Sequence, residues 1–415
     1  PPGSVAAGCL YLDVTVGGTT YPRIADAYGE TKVRYNSSTP IETVYSDHVE
    51  FGNGAIFGWD NSPAGSPASN NVVYNLVVDS DPPCTTTCFV DAAIGNDAFA
   101  GTAGGPFRTI QKALDSVSSG GTVNVAAGTY PESVDIGKSV TISGPNAEIS
   151  PNDASARPAA NGSRVAEAII RTPSGAGNAI DITPNVANLV VTLSGLTVDM
   201  VNAGFDQLYL RGDNNADLDL TIEHTRFMNV DGASNGYIWI PGDNGAMTLT
   251  LLDNRFTDEQ TATNGVSAFS QGTGATMALD IRDNVWLDNT GWAYDGGSTA
   301  GTSGTISGNW IGNSSPGTGG TDNFTLRQTG LLLAGAHAGL QVVGNSFVDL
   351  EYAAVLFWED FSGDVSITNN LVDGYSNVSF DYDDPGTPDY EGDTLIGPLG
   401  GVGPVPSVAG VTLRN

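Results

Sequence analysis

Leu251-Leu252-Asp253-Asn254-Arg255-Phe256 is one of six similar hexapeptides. The others begin at Ile222, Ile281, Ile306, Val342 and Ile367. Each places an aliphatic residue three positions before an asparagine and a large apolar residue two after it. The copy at Ile222 carries Thr225 in the asparagine slot. Successive slots lie 25 to 36 residues apart, the period of a stacked array. An asparagine amide both donates and accepts, so copies one coil apart, at about 4.8 Å, can bond to each other. Asparagine also tolerates the left-handed backbone that a sharp turn needs. The pattern predicts a ladder of Asn254, Asn284, Asn309, Asn345 and Asn370, begun by Thr225. Phe227, Phe256, Trp286, Ile311, Phe347 and Val372 are predicted to stack inside it.

Outward from that repeat, residues 91–380 alternate short apolar runs with turns, two or three runs per repeat. That is the pattern of a right-handed parallel β-helix. One helix stands out: Ile110, Ala113, Leu114 and Val117 share a face, and Gly120-Gly121 ends it. It is expected to span 107–118 and to cap the open end of the solenoid, where unpaired strand edges invite association. Residues 1–80 hold short strand-like runs separated by turns, as in a small β-sandwich. Residues 81–90, with Pro82 and Pro83, read as a stiff linker, and 381–415 as an acidic loop followed by a Gly/Pro-rich tail. The last eight residues, VAGVTLRN, look like one more strand-and-ladder unit. The class is therefore all-β.

Residues 95–144, GNDAFAGTAGGPFRTIQKALDSVSSGGTVNVAAGTYPESVDIGKSVTISG, resemble the opening of the pectin-lyase-like superfamily. More narrowly, they resemble bacterial extracellular proteins built of parallel β-helix repeats. The resemblance implies the fold, and not one activity, because the superfamily holds lyases, hydrolases, esterases, tailspikes, adhesins and plain stalks. Lyases of this fold place calcium-binding acids and an Arg or Lys base on one exterior face. On that pattern Asp253 and Asp283 are the candidate acids, with His224 stacked beside them, and Arg226 and Arg255 the candidate base. The plainer reading of the same column is a set of solvated turn acids paired to outward arginines, and it is favoured. The histidine, arginine and aspartate motifs of polygalacturonases are not present.

Charge narrows the partners. Forty-six acidic residues against 15 basic give a net charge of −31, which repels nucleic acid and anionic membranes. No apolar run is long enough to span a bilayer. The thirteen residues 381–393 carry Asp381, Asp383, Asp384, Asp389, Glu391 and Asp393 among Pro and Gly turns, a set of oxygen ligands suited to calcium. Cys84 and Cys88 read as a small disulfide loop, and Cys9 is left for a free thiol or an intermolecular bond.

Three functions remain open. The first is an extracellular or cell-surface structural or adhesive protein that associates end to end. The second is a secreted calcium-assisted polysaccharide lyase or another carbohydrate-active enzyme. The third is a glycan-binding module without catalysis, using Trp239, Trp292, Trp310 and Trp358. The scarcity of cations to neutralise an acidic substrate argues against the lyase, so the structural reading is preferred and no cofactor is required.

Overall fold

A computed structural model divides the chain into two compact units, Pro1–Pro83 and Cys84–Asn415. It describes the strands within 11–74 and then residues 83–175, 177–183, 188–199, 208–210, 217–229, 236–240, 245–257, 265–288, 292–312, 329–348, 350, 353–357, 362–373, 380–382, 407–409 and 412–414. In the first unit Tyr11–Val16 pairs antiparallel with Thr19–Asp26. Thr43–Val44, His48–Glu50, Ile56–Trp59 and Val73–Tyr74 form a second antiparallel sheet in chain order. The face-to-face packing expected of a sandwich falls on side chains outside the described residues.

The second unit is a right-handed parallel β-helix with three faces. One coil shows the route. Leu218–Glu223 lies in sheet 1, Arg226–Met228 in sheet 3 and Ile238–Ile240 in sheet 2, and Met247–Leu252 returns to sheet 1. Each strand pairs in parallel with its equivalent one coil on, as Leu218–Glu223 does with Met247–Leu252. The period-two alternation of the sequence becomes an inside and an outside: Leu218, Leu220 and Ile222 are buried while Asp219 is exposed. The inward residues of all three sheets form one elongated core.

The asparagine ladder runs through the turn between sheets 1 and 3. Asn284 Oδ1 accepts from the backbone N–H and the side-chain Nδ2 of Asn254. The same pair of bonds joins Asn284 to Asn309, Asn309 to Asn345 and Asn345 to Asn370. Thr225 donates its backbone N–H to Asn254 Oδ1. The five asparagines are almost fully buried, where an unmade bond is costly. Inside the turn, Phe227, Phe256 and Trp286 stack with centroids 5.0 and 4.8 Å apart. The left-handed backbone, however, sits one residue earlier than expected. His224, Asp253, Asp283 and Asn369 have positive φ, as do Gly308 and Gly344. The turn is made by the residue before the ladder, which leaves the asparagine to aim its amide along the solenoid.

The helix spans Ile110–Ser116 with Thr109 as its N-cap and buries Ile110, Ala113 and Leu114. Its first amides are held from outside: the Glu132 carboxylate accepts from Ile110 N and Gln111 N at 2.8 and 3.0 Å. Asp97 accepts from Thr109 N and from its hydroxyl. Burial raises the Glu132 carboxyl above its ordinary value despite those two bonds.

The solenoid is longer than the span 91–380 expected for it. Thr87–Val90, in the segment read as linker, pairs with Gly121–Val125. Ser407–Ala409 and Thr412–Arg414, in the segment read as tail, pair with the strands Ser362–Thr368 and Leu371–Asp373. A disulfide joins Cys84 to Cys88.

Candidate functional site

The three outer faces carry different chemistry. On sheet 1, Thr122, Thr141, Thr192, Thr221 and Thr250 stand in register on consecutive coils, followed by Asp280 and Thr305. This is a column of half-buried hydroxyls of the kind that stabilises neighbouring strands.

The flank formed by sheet 3 and the ladder turn is covered. Residues 144–165, between Val140–Ser143 and Ala168–Arg171, form a strap across the turns of four coils. Arg164 donates to His224 O at 2.9 Å. Asn152 donates to Asp253 Oδ1 at 2.9 Å and to Asn254 O at 3.0 Å. Arg157 donates to Gly308 O and lies 3.4 Å from Asp283. Arg255 donates to Pro158 O at 2.7 Å and to Asn152 Oδ1 at 3.3 Å, and is only 6% exposed. Burial lowers its pKa, and the neighbouring Arg226 adds to that. Arg226 lies in register with Arg255 and is 3.7 Å from Glu167. Glu167 in turn forms a two-point pair with Arg164 at 2.8 and 2.9 Å. Burial alone would raise the Glu167 carboxyl, but the Arg164 pair, Thr197 and Arg226 hold it below its ordinary value.

The four residues suggested by the lyase pattern thus share one flank, and strap residues meet three of them. Asp253 and Asp283 do not converge on a common ligand with His224. Nε2 of His224 is 3.9 Å from Asp253, and among the described residues no three His, Cys, Asp or Glu side chains are grouped to hold a metal ion. The calcium candidates Asp383, Asp384 and Asp389 lie outside the described residues. Asp381 belongs to the strand Phe380–Tyr382, and its side chain is likewise not described.

Sheet 2 presents the remaining face. Its register aligns Asp135, Asp181, Tyr209, Trp239, Ser267 and Asp295 on six successive coils. These positions alternate with inward Ile180, Leu208, Ile238 and Val266, so they lie on the outer side of the sheet, where Asp135 is exposed and Asp181 half-buried while Ser267 and Asp295 are covered, 1% and 7% exposed. Tyr209 and Trp239 are half-buried neighbours, about 4.8 Å apart at the backbone. Asn178 fixes Asp181 with a 2.8 Å bond, and Ser267 lies 3.5 Å from Asp295 Oδ2. Beyond Ser267 and Asp295, at the far end of the same strands, a cleft of about 490 Å³ is lined by Phe269, Gln271, Gly297, Ser298 and Ser362 among others. The row was missed in the sequence because its residue types differ. Its spacing of 28 to 30 residues from Asp181 to Asp295 matches the ladder period and is the signal that would have found it. Of the four tryptophans that a glycan-binding module would use, Trp239 and Trp292 are half-buried and Trp310 is buried. Trp358 lies outside the described residues.

Comparison with known proteins agrees with this architecture. A family model described as a protein of unknown function (DUF1565) matches residues 93–148. A point mutant of the PL6 family alginate lyase AlyGC matches at 17% identity and a TM-score of 0.50, over 88% of this chain. The fold is that of a pectin-lyase-like parallel β-helix. The chain spans 46% of that enzyme's length. A rhamnogalacturonan lyase is similar at 15% identity and a TM-score of 0.42, covering 71% of this chain and 75% of its own. No curated protein matches in sequence. Among the described residues no helix is long and apolar enough to cross a membrane.

Proposed function

We propose that this pectin-lyase-like chain is an extracellular structural or adhesive protein that holds a surface glycan along the outer face of sheet 2 without cleaving it. Asp181, Tyr209 and Trp239, half-buried on consecutive coils of that face, carry the reading. Aromatic faces offer apolar area to the C–H faces of a sugar ring, and carboxylate and hydroxyl groups beside them bond its hydroxyls. The strap supports the absence of cleavage, because it engages Asp253, Asp283 and Arg255, three of the groups a lyase pattern on this chain would employ. End-to-end self-association, with calcium at Asp381, Asp383, Asp384 and Asp389, belongs to the same proposal. A carbohydrate-active enzyme is the second reading, favoured by the cleft lined by Phe269, Gln271, Ser298 and Ser362.

Incubation with a panel of polysaccharides, with and without calcium, separates the two. The proposal expects retention of the protein by at least one polymer with no unsaturated or reducing ends formed. New chain ends would transfer the site to the second reading.

A further inference from the structure

We infer that Arg226 and Arg255 form a site for a tetrahedral oxyanion, sulfate as the free ion or as an ester, and that the outer part of the strap competes for it. The site lies on the sheet 3 flank and does not depend on the glycan reading of sheet 2.

Four of the 15 basic residues of the chain, Arg157, Arg164, Arg226 and Arg255, gather on this flank of an otherwise acidic protein. Arg226 and Arg255 hold equivalent positions on adjacent strands of sheet 3, about 4.8 Å apart at the backbone, where like charges in register repel. The carboxylate 3.7 Å from Arg226 is Glu167, already held in its two-point pair with Arg164. Nε of Arg226 is buried and bonds to no acceptor among the described residues. Arg255 is 6% exposed, and its acceptors are the uncharged Pro158 O and Asn152 Oδ1. Asp288 acts on it from a distance, and less strongly than Arg226 does. A buried cation without a close counter-ion is costly, and two stacked guanidinium groups place N–H donors at two levels. A planar carboxylate matches one guanidinium in its own plane. A tetrahedral oxyanion has oxygens for both levels.

The place for that ion is taken by residues 153–160. A backbone bridge between Asn152 and Ala160 closes the base of this segment, with Asp153 N donating to Ala159 O and Asn161 N to Pro151 O. Ala154, Ser155, Ala156, Ala159 and Ala160 are exposed, and no residue of 153–160 belongs to the apolar core. The segment is fastened to the coils by Arg157, on Gly308 O and Asp283, and by Pro158 O, on Arg255. Lifting it therefore uncovers little apolar surface. An oxyanion then replaces a neutral carbonyl on Arg255 with a stronger, charge-assisted bond.

Elastase cleavage of the whole protein, read by mass spectrometry, provides the test, because the alanines of 153–160 become substrates when the segment lifts. The additions are inorganic sulfate, a sulfated monosaccharide, acetate and chloride at matched ionic strength, with elastase activity normalised on a short peptide in each. Cleavage within 153–160 should rise to a plateau with sulfate or its ester, and not with acetate or chloride. A response to the free ion alone or to the ester alone supports the inference and says which source fits. Arg157→Ala, which loosens the segment and leaves the pair intact, should lower the half-saturating concentration about fivefold. Arg226→Gln, shown to fold by its melting curve, should abolish the rise. An equal response to acetate or chloride, a response retained in Arg226→Gln, or slower cleavage with sulfate would each overturn the inference. So would cleavage that no addition alters in either wild type or Arg157→Ala.

Discussion

Asn284 Oδ1 accepts two hydrogen bonds from a single residue, the backbone N–H of Asn254 at 2.8 Å and its side-chain Nδ2 at 3.0 Å. Nδ2 of Asn284 meanwhile donates to Leu251 O and to Asn309 Oδ1. Each rung therefore closes the turn of the coil before it and passes its own donors to the coil after.

Asn284→Leu strands two buried donors of Asn254 and the carbonyl of Leu251. Unfolding stability should fall by about 1–3 kcal/mol, read in a urea or thermal melt. Glycan retention at a temperature where the variant is folded should be unchanged. An unaltered melt would contradict the role assigned to the ladder.

The cap can be tested at Leu114, which is 2% exposed against the first coils. Leu114→Asp buries a charge in an apolar site and should lower both soluble yield and melting temperature. Normal expression and an unshifted melt would remove the cap from the account.

Glu167 ties the strap's Arg164 to sheet 3, and its folded pKa is depressed below the ordinary 4.5. A depressed carboxyl stabilises the fold above the unfolded value, and that contribution is lost as pH falls through the folded value. The stability difference between wild type and Glu167→Gln should therefore be full at neutral pH and shrink below about pH 4.5. Denaturant titrations across that range check it, and a difference that grows in acid would contradict the assignment.

Calcium binding by 381–393 should appear as a melting temperature that rises with calcium concentration, because a ligand of the native state alone stabilises it. Titration calorimetry with no heat at millimolar calcium, together with an unshifted melt, would dispose of the site.

The ladder was legible in the sequence because a residue that must bond to its own copy one coil away keeps both its type and its spacing. The turn conformation was assigned to the asparagine itself. The glycines at 308 and 344, in the slot before it, were the available sign that the left-handed residue comes first. The strap left no such trace. Its contacts join residues about a hundred apart, such as Asn152 with Asp253, and depend on how a loop folds back over finished coils. The sheet 2 row lay between these cases: its period was visible, but Asp, Tyr, Trp and Ser share no chemistry that would mark them as one column. The acids at 253 and 283 adjoin the ladder in the sequence itself, whereas the strap residues that engage them are beyond what spacing reveals.

The central claim, that a glycan lies on Tyr209 and Trp239, is tested most directly by hydroxyl-radical footprinting with and without bound polymer. Ile94, in the turn after Thr87–Val90, and Val165, in the strap over the sheet 3 flank, are 71% and 51% accessible and serve as internal dose controls. The account predicts that oxidation of Tyr209 and Trp239 falls when polymer is bound while both controls are unchanged. Undiminished oxidation of the two aromatics in a complex shown to be saturated would contradict it.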